Sequence, residues 1–195
     1  MTKIYGNFIT EIPPQTEYLQ IGFSPSSIPL KQRWQTNGLS ADFISEYLDV
    51  FFVGQQSIQG EKFAISPEIN DAVKYVANEL LENAMKFSLP DSDFPTRISF
   101  FLLDQQVVFH VINAISQERA DNLEVLIHTL LDNDPHELYI SKMEANAEEL
   151  TSNHSGLGFL SMICDYSARL GWKFEVPTPD SSTTIVTTMV SLDII

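Results

Sequence analysis

Residues 79 to 88, ELLENAMKFS, set a carboxylate, a carboxamide and an ammonium at intervals of four and three. On a helix turning 100° per residue, Glu79, Asn83 and Lys86 fall within roughly 60° of one another. They lie beside an apolar stripe of Val73, Val76, Ala77, Leu80, Ala84 and Phe87. Such a trio is either a surface network of i,i+3 and i,i+4 pairs, worth a few tenths of a kcal/mol, or a polar ledge at the edge of a core. Glu82 and Asn78 are expected on the opposite, solvated side. A second stretch, HSGLGFLSM at 154 to 162, holds Gly156-Leu157-Gly158 where a helix should begin. Glycines there leave main-chain N–H groups uncovered, which is how helix N-termini hold phosphates; the same pair also suits a turn that needs positive φ.

The elements that must position these groups follow from periodicity and caps. Ser66-Pro67-Glu68 opens a helix with a hydroxyl cap, proline in the first turn and an acid at the positive end of the dipole. That helix should end near Phe87, before Pro90. TRISFFLLD and QQVVFHVIN are β-rich runs meeting at Asp104-Gln105, the pattern of an antiparallel hairpin. Helical spacing returns over 118 to 132, with Leu123, Leu126, Ile127 and Leu130 on one face. Residues 133 to 155 turn polar and predict a loose helix with flexible ends. A helix after Gly156 is expected to close at Gly171, and WKFEV and TTIVTTMVSLDI read as two strands around the turn PTPDSS. Upstream, prolines and glycines fit short strands and turns, EYLQIGF reads as a strand, and 39 to 53 has helical spacing at Phe43, Ile44, Tyr47, Leu48 and Phe51, with Ser40 as cap. Together these predict an α+β two-layer sandwich with helices on one face of a mixed sheet. Residues 1–64 form an N-terminal extension offering partner or dimer surface, and 65–195 the main domain.

Composition narrows the function. A chain of 195 residues, 44% hydrophobic, can bury one core. A formal charge of −15 repels phosphate backbones and anionic membrane surfaces, so neither nucleic acid nor membrane is an expected partner. No run reaches the roughly 18 apolar residues of a membrane span, and the N-terminus lacks the layout of a signal peptide, so a cytoplasmic protein is expected. Cys164, the one cysteine, is expected as a buried, inert thiol. His110, His128, His136 and His154 lack the spacing of a metal pair and are read as structural.

From about residue 65 to 195 the chain resembles the GHKL, or Bergerat-fold, ATPases. That superfamily includes histidine-kinase catalytic domains, the ATPase domains of type II topoisomerases and a heat-shock chaperone, and anti-sigma-factor serine kinases. NELLENAMKFS is similar to the family's N box, agreeing in both the Glu-x-x-x-Asn spacing and the following Ala-x-Lys-Phe, and SGLGF is similar to its last glycine box. The resemblance implies ATP and Mg²⁺ as ligands. It implies Glu79 as the acid that orients or deprotonates a nucleophile, Asn83 as the oxygen holding Mg²⁺ between phosphates, and Lys86 facing phosphate. Gly156, Leu157 and Gly158 would offer main-chain N–H groups, residues 133 to 155 would form a lid, and Thr184 would approach the adenine. The family's Asp-x-Gly-x-Gly signature is replaced by Asn113-Ala114-Ile115-Ser116-Gln117. Asn113 could still accept a hydrogen bond from an adenine amino group, without a carboxylate's charge, and Ile115 adds β-branched bulk where glycine is expected.

All four histidines follow the N box, which disfavours the histidine-kinase branch, and 195 residues leave no room for a transducer domain. The stand-alone anti-sigma-factor serine/threonine kinase type remains. The resemblance therefore implies a partner-switching regulator that binds, and can phosphorylate, a STAS-domain protein, with homodimer formation open. The alternative is a non-catalytic protein-binding module with a degenerate nucleotide pocket.

Overall fold

The computed structural model describes residues 1–24, 34–59, 66–89, 92–148, 157–178 and 182–194. In chain order the elements are β1 (Thr2–Gly6), β2 (Glu17–Phe23), α1 (Trp34–Gln59), α2 (Pro67–Phe87), β3 (Thr96–Leu102), β4 (Gln106–Ser116), α3 (Gln117–Asp132), α4 (Pro135–Glu148), α5 (Leu157–Tyr166), β5 (Arg169–Glu175) and β6 (Thr183–Asp193). The strands form one sheet in the order β1-β5-β6-β4-β3-β2. Every pairing is antiparallel, so the sheet of this α+β sandwich is not mixed. The reason is connectivity: β3 to β4 and β5 to β6 are simple reversals, and no right-handed βαβ crossover joins sheet neighbours.

Both edge strands come from the first 64 residues, β1 beside β5 and β2 beside β3. The segment between them crosses the sheet face that carries no helix. Phe8 stacks on His110 with ring centroids 5.5 Å apart, and the Ile9 N–H reaches Met189 Sδ at 3.1 Å. Gly171 lies in β5 and does not close a helix; a Cβ there would sit 2.5 Å from the Phe8 backbone nitrogen, so only glycine lets the crossing segment lie this close. On the other face, Ile98, Phe100, Phe109, Val111, Trp172 and Val190 meet the buried side of the helices.

Local chemistry accounts for the helix ends. Ser66 Oγ accepts the Ile69 N–H at 3.3 Å, Pro67 takes the first position, and Glu68 sits in the first turn, its carboxyl held below the usual range by its own backbone N–H and the Ser66 hydroxyl. Ser116 caps α3 in the same way through the Arg119 N–H at 3.3 Å, and Asp134 caps α4 by accepting from the His136 and Glu137 N–H groups at 2.9 and 3.0 Å. Ser40 lies inside α1 and is not a cap. On α2, Val73, Val76, Ala77, Leu80 and Ala84 are buried as expected, whereas Phe87, in the last turn, is exposed. Cys164 is half-buried, with its thiol pushed up by burial and by Asp165.

Candidate functional site

A cavity of about 730 Å³ opens between α2, β4, α3, α5 and the middle of β6. From α2 its wall takes Glu79, Glu82, Asn83 and Lys86. Glu82 is therefore not on a solvated opposite face: three residues after Glu79, it turns 300° and returns to within roughly 60° of it. From β4 come Asn113 and Ile115, from α3 Glu118, Arg119 and Asn122, from α5 Gly158, and from β6 Thr188. Lys142 reaches the wall from α4. Three carboxylates, Glu79, Glu82 and Glu118, thus meet three cations, Lys86, Arg119 and Lys142, in a chain whose total charge is −15.

Glu79 abuts the start of α5. A Cβ added to Gly158, the second residue of α5, would collide with Glu79 Oε2 and lie 4.0 Å from Asn83 Nδ2. The bare glycine therefore lets a carboxylate and a carboxamide press against the start of a helix, where N–H groups lack intrahelical partners. Burial raises the Glu79 carboxyl above the usual range, Glu82 adds to the rise, and Lys86 opposes it. A half-buried carboxylate made more basic in this way is suited to accept a proton.

The β4 side of the cavity is built differently. β4 stays paired with β6 through Asn113↔Val186, Ile115↔Thr184 and Ser116↔Thr183, and runs straight into the cap of α3. No loop interrupts it where Asp-x-Gly-x-Gly would have to open one, because Ile115 favours the extended backbone and no glycine offers another. Asn113 is 4% exposed and donates from Nδ2 to Ser88 Oγ at 3.1 Å. Ser88 Oγ in turn donates to the Ala84 carbonyl and lies 3.2 Å from Thr96 Oγ1. Arg119 donates to the carbonyls of Phe87 and Ser88 at 2.7 and 3.1 Å, closing the C-terminal end of α2.

The structure thus brings Glu79, Asn83, Lys86, Asn113 and Gly158 to one cavity. Thr184 does not reach it: the side chain is 2% exposed and donates to Gln117 Oε1 at 3.2 Å, while Thr188, four residues on along β6, lines the wall instead. Leu157 opens α5 but does not line the cavity, and Gly156 and His154 fall outside the described residues. Of the expected lid, 135–148 is the helix α4, and Tyr139 on it bonds Asp165 at 3.0 Å on α5. Asn133 and Asp134 join α3 to α4, and the remainder of the expected lid, 149–155, lies outside the described residues. Lys142 was findable as the lone Lys or Arg between Arg119 and Arg169; its arrival in the same cavity as Lys86 was not.

Among the described residues no cluster of three His, Cys, Asp or Glu side chains forms a metal site. The side-chain oxygens that line the cavity and could meet a hard cation are those of Glu79, Glu82, Asn83, Asn113, Glu118, Asn122 and Thr188. Nor, among those residues, is any helix long and apolar enough to cross a membrane.

The fold is therefore that of an α+β sandwich with a polar cavity between its helices and one face of the sheet. A solved chain of the same fold occurs in the crystal structure of the SiaB–SiaC complex from Pseudomonas aeruginosa, with a TM-score of 0.59 over 89% of each chain and 16% sequence identity. At that identity the likeness is one of fold. No family model matches the sequence, and no curated protein does.

Proposed function

We propose that the chain is an ATP-binding regulator of the partner-switching kind, acting on a STAS-domain protein, and that Glu79 serves as base for phosphorylation of a Ser or Thr on that partner. The observation that carries the reading is Glu79, half-buried and made more basic, beside Asn83 and the bare Gly158 in a cavity whose charges balance. Bound Mg-ATP would supply the transferable phosphoryl group. Glu79 would take the proton of the incoming hydroxyl, Asn83 would hold the cation through its amide oxygen, and Lys86 and Lys142 would offset phosphate charge. Gly158 would leave the first N–H groups of α5 open to phosphate oxygens. A protein partner is supported by the solved chain of the same fold, which was crystallised in a complex of two proteins. An excess of 26 acidic over 11 basic residues suits a partner with a basic patch.

One observation favours the second reading, a protein-binding module that does not turn over nucleotide. β4 is continuous through Asn113–Ser116, and the Asn113 amide is held by Ser88, so the strand wall is closed where an adenine would be read. Calorimetric titration with Mg-ATP, with and without a STAS-domain protein, separates the two. Binding in the micromolar range that Asn83→Ala abolishes supports the first, and no heat under either condition supports the second. If binding occurs, phosphate transfer to the partner should fall about 10²- to 10⁴-fold in Glu79→Gln. Undiminished transfer in that variant removes the assigned base.

A further inference from the structure

α1 carries an apolar stripe on the side away from the core. Its buried side chains, Ala41, Ile44 and Leu48, centre on one line of the helix. Turning 100° per residue, Leu39, Phe43 and Val50 fall within about 40° of each other on the diametrically opposite line. They are 69%, 52% and 71% exposed. A helix apolar on both sides is ordinarily covered on both. One flank of the stripe carries Asp42, Glu46 and Asp49, and no Lys or Arg occurs between Gly38 and Phe51. Asp42 pairs with Lys74, and Asp49 accepts from Asn70 at 2.8 Å, both on α2.

We infer that this stripe is a docking surface for an amphipathic helix of a partner protein, one whose apolar face is flanked by Lys or Arg. Charge selects that occupant. A second copy of this chain brings another −15, and in an antiparallel two-fold pairing of α1 its acidic flank would meet its own counterpart, with Lys74 of α2 against Asp42 the one cation paired with that flank among the described residues. A cationic flank instead meets Glu46, beside Asp42 and Asp49 that Lys74 and Asn70 of α2 already engage. Three side chains cover far less than the roughly 800 Å² per partner of a standard interface, so the contact is weak and sensitive to salt, as exchange between partners requires.

The stripe sits across α2 from the cavity. The α2 residues that meet α1, Asn70 and Lys74, lie about 140° to 180° around the helix from Glu79 and Asn83. A partner on α1 therefore leaves the cavity mouth open. The surface deepens the protein-partner half of the proposed function and is independent of nucleotide.

The test uses the full chain and two synthetic helical peptides of equal length, one with a leucine stripe flanked by lysines, the other with glutamates in their place, read by fluorescence anisotropy. The lysine peptide should bind and the glutamate peptide should not. Affinity should drop at least about tenfold in Phe43→Ser and in Val50→Ser, stay unchanged in Val125→Ser, an equally exposed apolar residue on α3, and stay unchanged in Glu79→Gln. Equal binding of the two peptides, absence of binding, or indifference to both α1 substitutions overturns the inference. So does sedimentation showing a dimer that Phe43→Asp dissociates, which would give the stripe to a second copy. A failed Mg-ATP titration alongside intact peptide binding would remove the nucleotide chemistry and leave this surface standing.

Discussion

The two walls of the cavity use similar residues to different ends. On the helical wall, Glu79, Asn83 and Lys86 project from successive turns of α2 into the cavity, and Gly158 has no side chain to compete with the Glu79 carboxylate for its place there. On the strand wall, Asn113 is tied to Ser88 and Ile115 is packed 2% exposed, while Arg119 of the adjoining α3 is tied to the carbonyls at the end of α2. The lesson is one of backbone. A helix lays polar side chains along the edge of its buried stripe without disturbing its own hydrogen bonds. An interior strand can present a ligand-reading loop only where glycines break the ladder, and β4 has none there.

The largest effect should come from Ile115. Replacing it by Ala removes a 2% exposed side chain and should cost about 2–5 kcal/mol in denaturant unfolding. If Ile115 is what closes the strand wall, Mg-ATP affinity should rise in the same variant. A stability loss with unchanged affinity would place the obstruction elsewhere.

His110 lies on the same strand, three residues before Asn113, and faces the crossing segment through Phe8. Burial, with help from Lys173, lowers its pKa to about 4. Below pH 6.5 the unfolded chain takes up a proton that the folded chain refuses until about pH 4, so stability falls as pH drops through that window. His110→Leu should abolish that part of the acid slope, roughly 3 kcal/mol, in melts recorded from pH 7 to pH 4.

Ser88 joins the two walls. Ser88→Val leaves Asn113 Nδ2 buried without its acceptor, and should cost about 1–3 kcal/mol in chemical denaturation. Ser88→Thr, which keeps the hydroxyl, should recover most of it.

The smallest effect is the pH response of Glu79. Its folded carboxyl is raised, so the fold favours the protonated form. Stability is lost as pH climbs from the unfolded pKa through the raised one, and the cost persists at neutral pH. Glu79→Gln should therefore melt higher than wild type at pH 7, with the gap closing as pH falls below the ordinary carboxylate range. A variant less stable at pH 7 would show that the carboxylate is held by interactions that outweigh its burial.

Much of the fold was legible because it is written locally. Ser66, Pro67 and Glu68 cap α2 whatever lies above it, and the alternation of apolar residues around Asp104-Gln105 makes a hairpin. The trio on α2 was legible for the same reason, since spacing on one helix is fixed by 3.6 residues per turn. Glu82 obeys the same arithmetic, 300° on from Glu79, and so lines the cavity and not the solvated side. The fate of Asn113 was hidden, because its bond to Ser88 joins residues that only meet when α2 packs on the sheet.

The sequence alone thus determined α2, its Ser66 cap and the ledge of Glu79, Asn83 and Lys86, all set by neighbours within one or two turns. Only the tertiary structure decided that β1 and β2 close opposite edges of one antiparallel sheet, that Lys142 lines the same cavity as Lys86, and that Thr184 turns away to Gln117. Those outcomes rest on pairing between residues far apart in the chain, and such pairing is selected by packing of the whole core, which no local pattern encodes.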